Sequence, residues 1–299
     1  MNSIINDLLK KGVVKGNSTL LSEIEIKELE GLIFKSKQDN SAEGEVFKNI
    51  VAINERIDEL LEKILTNTEV QNTLLKILGK NYLLRHVSAR YNKSDDKGLP
   101  MHQDSVGEVG LTVLVNNQEK GSTFFFPGTQ LIPSNLNLAQ KVSWGSIKLI
   151  NLMKYFSIRA SGNAGCYYYF LNRTWHGRLP GISNETNLSL FFAFFPVSAK
   201  RKKLINDDLE YNSKIKGKLI TQPNLRKNLS RQNYNHAIEN FINTNDNNSL
   251  SMRVNNFDII FKNIFYFTYV ILKLIILEII FFPISIKRYL KLLLAKFTF

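Results

Sequence analysis

Two short segments hold three side chains that could bind a metal ion together. GLPMHQDSVGEVGLTVLV places His102 and Asp104 two residues apart at the entrance to a predicted strand. Alternation along an extended chain points both side chains to the same face. GCYYYFLNRTWHGRLPG supplies His176 just beyond a second predicted strand. Two imidazoles and one carboxylate leave three octahedral positions open, so the set predicts a non-haem Fe(II) site that binds a cosubstrate and then O₂.

Other residues of chemically useful types favour structural roles. His86 and His236 are interpreted as hydrogen-bonded structural histidines. Cys166 lies inside an aromatic run and is interpreted as a small packed residue, not as a nucleophile. Tyr167, Tyr168 and Tyr169 alternate faces, so one or two of them could line a cavity while most pack in the core.

The elements that must position the three ligands are mainly β-strands. The first third of the chain predicts helices, because Ser22 and Glu25 have capping-box spacing, Asn54 to Leu65 is amphipathic, and Thr68 with Gln71 caps a helix that Gly79 ends. From about residue 82, short β-branched and aromatic runs alternate with turn residues, which indicates a β-sandwich or jelly roll. These runs are YLLRHVSARY, VGLTVLV, STFFF, SIKLI, GCYYYFL and NLSLFFAFF.

In these segments the sequence resembles the phytanoyl-CoA dioxygenase family. The likeness is carried by LPMHQD, GSTFFFPGTQ and WHGRLPG, and it runs from about residue 8 to residue 197. It implies a double-stranded β-helix with outer N-terminal helices, including one at TEVQNTLLKILG. It also implies that His102, Asp104 and His176 hold iron, and that 2-oxoglutarate and O₂ are used to hydroxylate a C–H bond.

One position departs from the family pattern. The resemblance places an arginine that binds the far carboxylate of 2-oxoglutarate at residue 187, followed two positions later by a serine. Here the residues are Asn187 and Ser189. An uncharged amide cannot replace a guanidinium. Either Arg178 or Arg90 supplies the cation, or the cosubstrate differs, or the iron site no longer turns over.

The C-terminal third changes in charge and hydropathy. Residues 200–299 hold 17 Lys and Arg against 7 Asp and Glu, which is most of the net charge of +13. We predict three segments: a jelly-roll domain with its helices over 1–198, a polar basic linker over 199–253, and an apolar helical segment over 254–299. Basic residues beside an apolar segment favour an anionic membrane surface over nucleic acid.

The mode of membrane association stays open at this point. Lys262, Lys273, Lys287 and Lys291 fall near one line of a helix, which is typical of a helix lying in the membrane interface. A true span and burial against the protein are the alternatives. The single cysteine and the polar start of the chain predict a cytoplasmic protein, associated with the membrane through this segment.

These observations lead to one functional hypothesis and one rival. The first is an Fe(II)- and 2-oxoglutarate-dependent dioxygenase that hydroxylates a small-molecule or lipid-linked substrate. The second is a jelly-roll binding protein at a membrane surface that has lost catalysis. Asn187 favours the second hypothesis, and the complete His102, Asp104 and His176 set opposes it.

Overall fold

A computed structural model describes most of the first 200 residues and one short helical segment near the C-terminus. The described residues are 3–40, 46–47, 50, 54–79, 82–92, 98–104, 107–131, 157–180, 186–196, 261–273 and 275–276. The predicted SIKLI strand, His236 and the 199–253 linker lie outside them. Among the described residues, no helix is long and apolar enough to cross a membrane.

Four helices precede and flank the sheets, as the sequence predicts: α1 (Ser3–Lys11), α2 (Glu23–Asn40), α3 (Glu55–Thr66) and α4 (Thr68–Leu78). The capping box of α2 is present, since the Ser22 amide donates to the Glu25 carboxylate and the Glu25 amide donates to the Ser22 hydroxyl. The cap of α4 differs from the prediction. Asn67, not Thr68, accepts hydrogen bonds from the first turn, because Asn67 lies directly before the first helical residue and its amide oxygen reaches the backbone amides of Glu69 and Val70.

The larger sheet has six strands in the order β1-β8-β5-β10-β3-β2. Alternate residues of its central strands, such as Leu190 and Phe192, are buried in one cluster with the apolar faces of the four helices. The strands of this sheet are β1 (Val13–Lys15), β2 (Val46–Phe47), β3 (Tyr82–Asn92), β5 (Val109–Leu114), β8 (Tyr167–Leu171) and β10 (Asn187–Pro196).

The smaller sheet has four strands in the order β4-β9-β6-β7. These are β4 (Leu99–His102), β6 (Thr123–Phe126), β7 (Ile158–Arg159) and β9 (Trp175–Arg178), with a 3₁₀ turn at Thr129–Leu131. Phe125 of this sheet packs with Leu114, Tyr168 and Phe170 of the larger one. The two sheets therefore enclose a shared interior, and the predicted mainly β, jelly-roll core is confirmed.

Three local expectations need correction or refinement. The segment around Val13 belongs to a strand rather than to the opening helices, because β1 pairs with β8. His176 follows the predicted strand β8 but itself lies in a further strand, β9, and His102 precedes the predicted strand β5 but itself ends a further strand, β4. Of the three tyrosines, Tyr168 faces the interior between the sheets, whereas Tyr167 and Tyr169 pack with the helices.

Candidate metal centre

The two histidines of the predicted triad meet across a pair of neighbouring strands. β4 and β9 are antiparallel, and His102 lies directly opposite His176. Their ring centroids are 4.4 Å apart. Register alone therefore places both imidazoles on the same side of the smaller sheet.

Asp104 is brought to the histidines by the turn between β8 and β9. Its backbone amide donates to the Asn172 carbonyl over 2.9 Å, and the Gln103 side chain donates to the Arg173 carbonyl over 2.6 Å. These contacts fix the chain just after β4. The carboxylate then lies 3.3 Å from Nε2 of His176 and 3.7 Å from Nε2 of His102.

The donor set fits a divalent metal ion. One ligand atom from each of His102, Asp104 and His176 lies within 4.8 Å of the other two. Adjacent ligands with bonds of about 2.1 Å lie about 3 Å apart, close to the two measured nitrogen–oxygen separations. Two nitrogens and one carboxylate oxygen suit iron among the first-row metals.

A backbone carbonyl orients the ring of His176. Nδ1 lies 2.8 Å from the Thr174 carbonyl oxygen, which can only accept a hydrogen bond. In the neutral ring, Nδ1 therefore carries the proton and Nε2 keeps its lone pair on the side of Asp104. This arrangement is usual for metal-binding histidines. Residue types alone do not predict this contact.

The exposed fraction of the side chain differs among the three ligands: it is 10% for His176, 29% for His102 and 47% for Asp104. Asp104 thus lies at the mouth. In the metal-free protein with both imidazoles protonated, burial raises the pKa of the Asp104 carboxyl group, but a hydrogen bond from His176 and the charges of His176, His102 and Arg90 outweigh burial and lower this pKa to about 2. At neutral pH the group is a carboxylate, the form that binds a metal.

Aromatic rings form the inner wall beside His176. The ring centroids of Phe170 and Phe125 lie 5.3 and 6.2 Å from that of the imidazole, and the two phenyl rings are 4.9 Å apart. Both side chains are at least nine-tenths buried. The inner side of the site is therefore apolar, which strengthens electrostatic interactions there.

Two arginines lie near the triad. Arg178 follows His176 by two residues in β9 and is buried, and Arg90 comes from β3, with its guanidinium carbon 4.5 Å from the centre of the Phe191 ring. Burial lowers the pKa of Arg90, the nearby charge of Arg178 lowers it further, and Asp104 acts in the opposite direction. Both arginines that the sequence offers as an anion-binding cation therefore lie in the same region as Asp104.

Asn187 and Ser189 lie on the face of β10 turned away from the helices. Asn187 is opposite Asn92, and Ser189 is opposite Arg90. Among the described residues, neither amide atom of Asn92, nor Oδ1 of Asn187, nor Nε of Arg90 has a hydrogen-bond partner, although all are buried. Buried polar atoms without partners are rare in folded proteins, so these atoms mark a place where a polar ligand would fit.

Two further residues of this pocket were not identified from the sequence. Asn92 follows Arg90 by two positions in β3, an alternation that could have revealed it. Gln118 is buried and donates from Nε2 to the Ser189 hydroxyl over 2.9 Å and to the Leu188 carbonyl over 2.9 Å. No sequence signal pointed to Gln118, since its position depends on the turn after β5.

Comparison with known proteins supports the fold. No family model and no curated protein matches the sequence. HygX from Streptomyces hygroscopicus, crystallised with nickel and 2-oxoglutarate, aligns with a TM-score of 0.54 and 10% identity over 66% of this chain and 87% of its own. The chain shares the fold of HygX. The iron-bound form of HygX aligns with a TM-score of 0.50 and 11% identity over 66% of this chain and 86% of its own. EvdMO1 aligns with a TM-score of 0.50 and 14% identity over 64% of this chain and 49% of its own.

Such low identities establish the architecture alone. The mainly β, jelly-roll core, predicted from the strand pattern together with the family resemblance, is therefore confirmed by solved structures. Membership of the phytanoyl-CoA dioxygenase family stays a prediction from the sequence.

Proposed function

We propose that this protein is a non-haem Fe(II)-dependent oxygenase that uses 2-oxoglutarate and hydroxylates a small-molecule or lipid-linked substrate. The observation that carries the proposal is the convergence of His102, Asp104 and His176 at one mouth of the barrel. The fold shared with HygX, whose crystals contain iron or nickel and 2-oxoglutarate, supports it.

Each part of the site has a task in this proposal. His102, Asp104 and His176 would hold Fe(II), and the Thr174 carbonyl keeps Nε2 of His176 turned toward it. Bound Fe(II) would supply the activation of O₂ that oxidation of a C–H bond requires. Phe125 and Phe170 exclude water from the inner side.

The cosubstrate is assigned to the polar pocket beside the metal ligands. Arg90 and Arg178 provide two positive charges, and Asn92 and Asn187 provide amide groups in register across β3 and β10. A dicarboxylate needs such charge-assisted contacts, because an unpaired carboxylate is costly to bury. A guanidinium from a neighbouring strand would thus replace the arginine expected at position 187.

Release of succinate from 2-oxoglutarate tests this function. We expect purified protein to form succinate under air only when Fe(II) is supplied. An iron-loaded protein that releases no succinate would contradict the proposal. That result would favour the rival function, a jelly-roll binding protein at a membrane surface. The observation that supports this rival is the uncharged Asn187 at the position of the expected arginine.

Replacing Arg90 with methionine should weaken 2-oxoglutarate binding about ten-fold to a hundred-fold, because a hydrogen bond to a charged group contributes about 1.5–3 kcal/mol. Titration of 2-oxoglutarate into the iron-loaded protein without oxygen, followed by its metal-to-ligand absorption band, measures the change. Arg159→Met is the matched control, since Arg159 in β7 donates to the Lys120 carbonyl at the surface. If both variants bind 2-oxoglutarate with equal affinity, Arg90 does not contact the cosubstrate and Arg178 is the candidate that is left.

A further inference from the structure

The C-terminal helix, residues 261–273 with 275–276, rests on the barrel domain through one face. Val270 is 1% exposed. A Cβ atom on Gly128 would meet the side chains of Val270 and Tyr266 at 2.3 and 2.9 Å, so only glycine allows this approach. Nζ of Lys10 lies 5.2 Å from the centre of the Tyr266 ring. The helix therefore contacts both α1 and the turn after β6. The face that carries Tyr266 and Val270 is buried against the protein.

The opposite face of the helix is apolar and exposed. At about 100° per residue, its large apolar side chains fall within an arc of about 140°. Phe265 is 90% exposed and Phe261 is 64% exposed. Soluble proteins rarely expose an apolar surface of this extent unless it binds something. The members of this outer face are Phe261, Ile264, Phe265, Tyr269, Leu272, Ile275 and Ile276.

Positive charge borders the outer face. Lys262 and Lys273 lie about 20° apart on the helical wheel, at one edge of the apolar arc. Lys10 is exposed on α1, beside Tyr266. Beyond Ile276, the sequence adds Lys287, Arg288, Lys291 and Lys296 against the single acidic residue Glu278. An apolar face with lysines at its edge matches a helix that inserts its apolar side chains among acyl chains while the positive charge at its edge attracts lipid phosphates.

We propose that the outer face docks this protein on an anionic lipid bilayer, with the C-terminal helix lying in the plane of the interface. Charge decides between the possible occupants. A second copy of this chain would present the same helix, whose residues 261–276 contain lysines and no acidic side chain to pair with them. Anionic headgroups instead attract each lysine near the surface.

Docking in this orientation would bring the metal centre close to the bilayer. Nζ of Lys273 lies 5.7 Å from the centre of the Phe126 ring. The Phe126 ring centre lies 6.3 Å from the ring centre of Trp175, which directly precedes His176 in β9. The helix is thus attached at the end of the barrel that carries the triad. This consequence rests on the proposed oxygenase function, and it assigns the substrate to amphiphiles presented at a membrane surface.

Co-sedimentation of the full-length protein with vesicles tests the docking. Binding is expected with mixed phosphatidylcholine and phosphatidylglycerol, and weaker binding with phosphatidylcholine alone. Phe265→Ser combined with Leu272→Ser should weaken partition by about ten-fold to a hundred-fold, because two large apolar side chains no longer enter the bilayer. Ile24→Ser is the matched control, since Ile24 is 80% exposed on α2.

Three results would overturn the proposal. The first is that the full-length protein does not bind anionic vesicles. The second is that the double variant binds them as tightly as the native protein does. The third is that Ile24→Ser loses as much binding as the double variant. Light scattering adds a fourth: a native dimer that Phe265→Ser converts to monomers, without vesicle binding, would make the outer face a contact between copies. Succinate release measured without vesicles is independent, so failure of the oxygenase function and failure of docking are distinguishable.

Discussion

Replacing Phe192 with alanine is expected to lower the free energy of unfolding by about 3–5 kcal/mol, the usual cost of deleting a buried phenyl ring. Phe192 lies in β10, between β3 and β5, and is 1% exposed among the side chains that join the large sheet to the helices. A loss of this size is a large part of the total free energy of unfolding, which is about 5–15 kcal/mol for most proteins.

Urea unfolding followed by circular dichroism measures this change. Ile24→Ala is the control, because a side chain that is 80% exposed should alter the free energy of unfolding by no more than about 0.5 kcal/mol. Equal effects of the two substitutions would show that Phe192 lies outside the core.

The pairing of His102 with Asp104 could be predicted from the sequence because its geometry is local, whereas His176 joins them through the pairing of β4 with β9. His102 and Asp104 are two residues apart in extended chain, and His176 follows a run whose residue types indicate a strand. The Thr174 carbonyl that orients His176 could not be predicted in the same way. Its position depends on the turn between β8 and β9, and a backbone group leaves no signature in residue type.

Long-range pairing explains the other differences. Val13–Lys15 is too short to show a strand pattern, and it becomes a strand only because β8 offers an edge. Asn92 and Asn187 are 95 positions apart and lie opposite each other only through the register of β3 and β10. The contact of the C-terminal helix with Gly128 likewise joins segments that no local pattern connects.

We propose that His102, Asp104 and His176 together bind a single iron. Removing one ligand should weaken Fe(II) binding by more than about a hundred-fold, because loss of a group that only orients a ligand already costs about ten-fold to a hundred-fold. His176→Ala is the most informative variant, since His176 is the most buried of the three side chains. Asp7→Ala is the control, as this exposed carboxylate pairs with Lys11 on α1.

Elemental analysis after anaerobic loading with Fe(II) and removal of free metal measures the iron that each variant retains. We expect one iron per chain in the native protein and in Asp7→Ala, and almost none in His176→Ala. An iron content that is the same in His176→Ala as in the native protein would contradict this proposal and would place the metal elsewhere.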